Sequence, residues 1–216
     1  MTTILSLTAS VQDDAKSLSR TLSRIFLDTW SQRLPETRVI HRDLAVSPPP
    51  HMSKAWGAAN STPPDQRNDA QREALAYSDA AIDEVEAADL IVIAAPMYNY
   101  GMPATLKAWF DQVIRVGRTL SFDLGRGDFP LASTLSGKRL VVLSSHGEFG
   151  FELGGIRQDW NFMDGHIATC AGYIGVAKED IHSVSIDYQE FGDERFQRSV
   201  EQAKAAAREL AVELSQ

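Results

Sequence analysis

Strand-like and helix-like patterns alternate along the whole chain. Ile4 to Thr8 is a short apolar run of strand type, and Leu18, Leu22, Ile25, Phe26 and Trp30 then fall on one face of a helix. Arg38 to His41 is a short strand candidate. Asn68 to Ala88 has helical spacing, with Leu75, Ile82 and Val85 inward. Leu90 to Ala95 is uninterrupted apolar and rich in β-branched residues, as a strand covered on both faces must be. From Pro103 a helix is expected, because Leu106, Trp109, Phe110, Val113 and Ile114 recur at i, i+3, i+4, i+7 and i+8. Arg139 to Ser144 reads as another buried strand, about Asp159 to Ala171 as a helix, and Ile181 to Ile186 as the last strand. Phe196, Val200, Ala203, Ala207, Leu210 and Leu214 line the closing helix.

Two stretches fit neither period. Ala45 to about Asp65 carries Pro48-Pro49-Pro50 and Pro63-Pro64 and reads as a long loop, of the kind that forms lids or pocket walls. Gly117 to Lys138, with Gly125-Arg126-Gly127 and Pro130, reads as an irregular inserted excursion.

Five strands alternating with helices predict an α/β three-layer sandwich: a five-stranded parallel sheet with helices on both faces. Right-handed crossovers place all strand carboxyl ends on one edge. Three loops converge there: Thr8 to Ser19, Ala94 to Pro103, and Ser144 to Gly150. Open α/β sheets bind their ligands at that edge.

The length of 216 residues is read as one domain, 1–216. A net charge of −8 argues against nucleic acid and anionic membranes as partners. No apolar run reaches the roughly 20 residues that cross a bilayer. Met1 to Leu7 lacks a basic leader, and the one cysteine, Cys170, reads as a buried small residue. Cytoplasmic location is therefore expected.

The three loops carry a consistent chemistry. Ser17 is a candidate N-cap, and Ser10, Ser17 and Ser19 place hydroxyls beside the open N–H groups of a helix start, where a phosphate monoester binds; plain capping is the alternative. Neither G-x-G-x-x-G nor G-x-x-x-x-G-K-[ST] occurs, which disfavours dinucleotide and P-loop readings. In Pro96-Met97-Tyr98-Asn99-Tyr100 the prolines at 96 and 103 stiffen both ends. The backbone offers donors, and the tyrosines either lie against a flat ring or pack beneath the helix. His146, between Ser145 and Gly147, is either an exposed loop histidine or a partner for the pyrimidine edge of such a ring. Trp160 and Phe162 read as core aromatics at a helix start, with pocket lining as the other reading. The histidines show no metal-ligand spacing. The loop from Ala94 to Pro103 offers no nucleophile; a flavin suits it better than hydrolysis does.

Together, Pro96-Met97-Tyr98-Asn99-Tyr100, the Ser10…Ser17-Leu18-Ser19 loop and Ser145-His146-Gly147 resemble the FMN-dependent NADH azoreductases, flavodoxin-like quinone reductases of bacteria. The resemblance runs from Ile4 through the last helix. It implies non-covalent FMN, a homodimer with flavin sites at the interface, and ping-pong hydride transfer from NADH or NADPH to quinones and azo dyes. It implies that Ser10, Ser17, Leu18 and Ser19 hold the FMN phosphate, and that Pro96, Met97, Tyr98, Asn99 and Tyr100 meet the ring and ribityl chain. Ser145, His146, Gly147 and Glu148 then meet the pyrimidine end. Catalysis would rest on flavin N5, with no side-chain nucleophile and with His146 and Tyr98 in support. Many members carry Ser-Arg-Gly-Gly where this chain has Ser145-His146-Gly147-Glu148. A flavodoxin-type electron carrier is the main alternative, and a flavin-free binder of a phosphorylated metabolite the second.

Overall fold

The computed structural model describes residues 1–216. Five parallel strands form one sheet: β1 (Thr3–Thr8), β2 (Arg38–Asp43), β3 (Leu90–Pro96), β6 (Lys138–Ser145) and β7 (Val176–Ile186), in the order β2-β1-β3-β6-β7. A separate antiparallel hairpin joins β4 (Leu120–Phe122) to β5 (Leu131–Ser133). The helices are α1 (Leu18–Arg33), α2 (Lys54–Ser61), α3 (Asp69–Ala87), α4 (Ala104–Val113), α5 (Asp164–Gly172) and α6 (Glu194–Leu214).

Strand alternation splits the core into two layers. Leu5, Leu7, Ile91, Ile93, Leu140 and Val142 face one way, onto Ile82, Val85, Leu106, Trp109, Phe110 and Ile167 from α3, α4 and α5. Ile4, Leu90, Val92, Val141 and Leu143 face the other, onto Leu22, Phe26, Trp30, Ala203, Ala207 and Ala211 from α1 and α6. The three alanines, one per turn, leave room for α6 to approach the sheet closely. Each fully buried Leu or Ile contributes roughly 1.5–3 kcal/mol.

The chain leaves β1 to build β2 on one side and returns to build β3 on the other. The carboxyl ends of β1 and β3 therefore part their loops in opposite directions and open a crevice between them. Helix caps fix where the flanking helices start. The Asn68 side chain accepts from the Gln71 N–H and the Gln71 side chain from the Asn68 N–H, a capping box on α3. Asp193 caps α6.

The structure differs from the sequence expectations in four places. The stretch from Ala45 to Asp65 is not structureless. It holds α2, capped by Ser53 and anchored by Trp56, whose Nε1 donates to Gln112 Oε1 at 2.9 Å. The excursion from Gly117 to Lys138 is organised by the β4–β5 hairpin. The expected helix from Asp159 starts later, at Asp164, after a single 3-10 turn at Gln158–Trp160. The last strand starts earlier, at Val176, with a register shift opposite Lys138 to Leu140.

Candidate functional site

The loop after β1 is pinned before it enters α1. The Ser17 hydroxyl accepts the Arg20 N–H at 3.3 Å and so caps the helix, and it lies 3.4 Å from the Ser19 hydroxyl. Ser10, Ser17 and Ser19 are all buried, and Leu18 is half-buried. The backbone N–H groups of Leu18 and Ser19 have no partner within the chain. Arg20 holds the loop's far side. Its Nη2 donates to the Ser10 carbonyl at 2.8 Å, and both terminal nitrogens grip Asp43 at the end of β2.

The loop after β3 is a tight reversal. Tyr98 and Gly101 exchange both backbone hydrogen bonds, at 2.9 and 3.0 Å, across Asn99 and Tyr100. Both central residues have positive φ, 49° and 65°, a pairing that a primed turn demands. Asn tolerates it; a bulky Tyr there is an outlier of the kind found at functional sites. The Tyr98 hydroxyl accepts the Val11 N–H at 3.3 Å and ties this loop to the first. Pro96 is buried, Met97 half-buried, and Asn99 and Tyr100 are exposed. Neither Asn99 nor Tyr100 spends its own N–H.

The loop after β6 meets both neighbours. Ser145 accepts the Met97 N–H at its carbonyl, 2.9 Å. His146 is buried, not an exposed loop histidine. Gly147 has no room for a Cβ, which would fall 2.7 Å from Glu190 Oε1. Glu148 pairs with Arg157 at 2.8 Å and accepts the Tyr100 hydroxyl at 3.1 Å. That bond from Tyr100 to a carboxylate, with the negative charge of Glu148, raises the phenol's pKa. Gly147 and Glu148 also leave their N–H groups free.

All three expected loops thus come together at the carboxyl rim. Several residues there carry no local sequence signal. Arg20 and Asp43 are 23 positions apart, and Asp187, which meets His146, is 41 positions away from it. Trp160 and Phe162 are not core residues: they are 52% and 63% exposed, and Trp160 packs edge-on against Tyr100 at 5.5 Å. Their stretch precedes α5, so no helical face turns them inward. Cys170 is buried as expected, and burial pushes its thiol up to about 11, which leaves it inert at neutral pH.

These residues suit a phosphate-bearing flat heterocycle. Hydroxyls and open N–H groups cluster at the start of α1, where the helix dipole favours an anion. Free N–H donors at Asn99, Tyr100, Gly147 and Glu148 face the needs of a ring edged with oxygens and nitrogens. A cavity of about 500 Å³ lies elsewhere, between α1 and β2, beside Arg24, Asp28, His41 and Asp43. Its lining is charged and hydroxylic and lacks a flat apolar face, so the rim fits such a ligand better.

The chain matches a family described as having a flavodoxin-like fold over residues 2–211. It is 48% identical over 221 residues to FMN-dependent NADH:quinone oxidoreductase 2 of Idiomarina loihiensis, covering all of this chain and 91% of that protein. The chain belongs to the FMN-dependent quinone oxidoreductase family. Within that family it is also 36% identical, over 212 residues, to FMN-dependent NAD(P)H:quinone oxidoreductase 1 of Pseudomonas aeruginosa, covering 98% and 99% of the two chains. Among solved structures, an azoreductase from Bacillus anthracis superposes with a TM-score of 0.86 at 19% identity, covering 98% of this chain and 99% of that one. The fold of the quinone oxidoreductases is therefore shared across a wide range of sequence.

Proposed function

We propose that this chain is an FMN-dependent oxidoreductase that uses NADH or NADPH to reduce quinones and aromatic azo compounds. One observation carries the reading: three loops at one sheet edge, cross-linked by Val11–Tyr98 and Met97–Ser145 hydrogen bonds, leave backbone N–H donors at Leu18, Ser19, Asn99, Tyr100, Gly147 and Glu148 free. FMN supplies the hydride chemistry when bound.

Ser10, Ser17, Leu18 and Ser19 hold the phosphate. Pro96, Met97, Tyr98, Asn99 and Tyr100 orient the ring, and Ser145, His146, Gly147 and Glu148 meet its pyrimidine end. Tyr100, held by Glu148 and Trp160, shields the site from water. No side chain acts as a nucleophile. Donor and acceptor enter the same open side in turn, a ping-pong order. An azo bond takes two rounds.

A homodimer completes the site. Phe122, Leu124 and Phe129 of the hairpin stretch are exposed, Phe129 by 84%, which supports a second copy as their cover. Residues 1–216 act as one domain. No helix is long and apolar enough to cross a membrane. A cytoplasmic setting is supported by the single, buried, unpaired Cys170.

Steady-state oxidation of NADH with a small quinone tests the enzyme reading. Sustained turnover is expected. Electron exchange with a protein partner and no quinone turnover would favour a flavodoxin-type carrier.

A further inference from the structure

His146 sits just past the end of β6 with a side chain only 4% exposed. Its Nδ1 lies 2.7 Å from Asp187 Oδ1. The carboxylate is itself fixed: the Asp187 N–H donates to the Ser199 hydroxyl at 2.9 Å, and Oδ2 accepts the Ser185 hydroxyl at 3.4 Å. The His146 N–H donates to the Ile186 carbonyl at 2.7 Å, so the two loop ends move as one. Yet Nε2 is buried and has no partner. Phe151 meets the imidazole edge-on at 5.2 Å.

A carboxylate on Nδ1 favours the tautomer with its proton there and leaves the lone pair on Nε2. The other charged and titratable groups of the neighbouring elements have partners of their own or stand off the ring. Glu148 is paired with Arg157 and Tyr100. Arg195 is paired with Asp193 and lies over Tyr188. Glu190 stands against Gly147. Asp187 is the one charge bonded to the imidazole.

We propose that His146 is the proton-holding residue of the rim and that Asp187 is its positioning residue. The inference rests on the reading that FMN occupies this rim. A reduced flavin held here would carry one more negative charge than the oxidised form. His146 Nε2 takes one proton from solvent, and the imidazolium, balanced by Asp187, offsets that charge. When a quinone takes hydride and a proton to become the hydroquinone, His146 returns to neutral.

The test is a spectroelectrochemical titration of the FMN-loaded full chain between about pH 5 and 8. In the wild type the reduced cofactor is expected to absorb as the anion, while the equilibrium shifts a hundredfold per pH unit, about 59 mV. In His146→Gln and Asp187→Asn it shifts only tenfold, about 30 mV. A wild-type slope of about 30 mV, a neutral reduced spectrum, or variants that keep the wild-type slope would each overturn the proposal. A purely structural role lowers FMN retention and leaves the slope alone. Should the variants lose FMN, nitrogen NMR of the wild-type holoprotein decides: the His146 Nε2 signal moves to the protonated position on reduction, or stays and refutes the idea. A wild type that takes up no FMN overturns the site reading itself, whereas FMN uptake with the shallow slope overturns only this proposal.

Discussion

Arg20 grips Asp43 with both terminal nitrogens, at 2.6 and 3.0 Å, and so fastens the loop after β1 to the end of β2. Burial pushes the Asp43 carboxyl up, but Arg20 and the N–H groups of Ala45 and Val46 outweigh it and leave its pKa below the usual value. A depressed carboxylate pKa contributes stability above the unfolded value of about 3.9, lost as pH falls through the folded one. Asp43→Asn is therefore expected to cost about 1 kcal/mol at neutral pH and to flatten the acid limb of the stability curve. Urea unfolding at neutral and acid pH checks this; equal losses at both would contradict it.

The Asn99–Tyr100 turn needs two positive φ angles. Asn99→Gly is expected to preserve stability, while Asn99→Val costs about 1–2 kcal/mol, the penalty for a β-branched residue in a left-handed conformation. Asn99→Asp keeps the turn but brings a carboxylate toward the ring, and lower turnover with unchanged thermal melting is expected. Equal turnover would remove Asn99 from the site.

Ser17 has two roles on this account, as cap and as phosphate partner. Ser17→Ala is expected to lose about 1 kcal/mol of stability through the cap. It also weakens FMN binding; riboflavin, which lacks the phosphate, binds wild type and variant alike. Calorimetric titration with both ligands separates the two effects.

A methyl group at Gly147 would come within 2.7 Å of Glu190 Oε1, closer than the two can pack. Gly147→Ala is expected to lower FMN affinity by about tenfold, an overpacking cost of the order of 1 kcal/mol. The clash is with a side chain, so Glu190→Ala in the same chain restores most of it. An additive double variant would contradict the close approach.

The central sheet and its three loops are readable because β1, β3 and β6 are dense apolar runs, and such runs fit strands covered on both faces. The polar loops that follow them then fall on one edge by topology alone. What escaped the reading depends on distant partners. Lys54–Ser61 is rich in Ala and small residues, and it is a helix because Ser53 caps it and Trp56 docks on Gln112. The hairpin at Leu120–Ser133 shows no alternation because Phe122 and Phe129 are left outside. Asp187 meets His146 only once β6 and β7 lie side by side.

The most direct measurement is the visible spectrum of the purified chain mixed with FMN, then with NADH under anaerobic conditions, then with a quinone. Stoichiometric FMN uptake, bleaching of the yellow colour by NADH, and its return with the quinone are expected. A chain that stays colourless after FMN is added, or a yellow one that NADH cannot bleach, would contradict the proposed function.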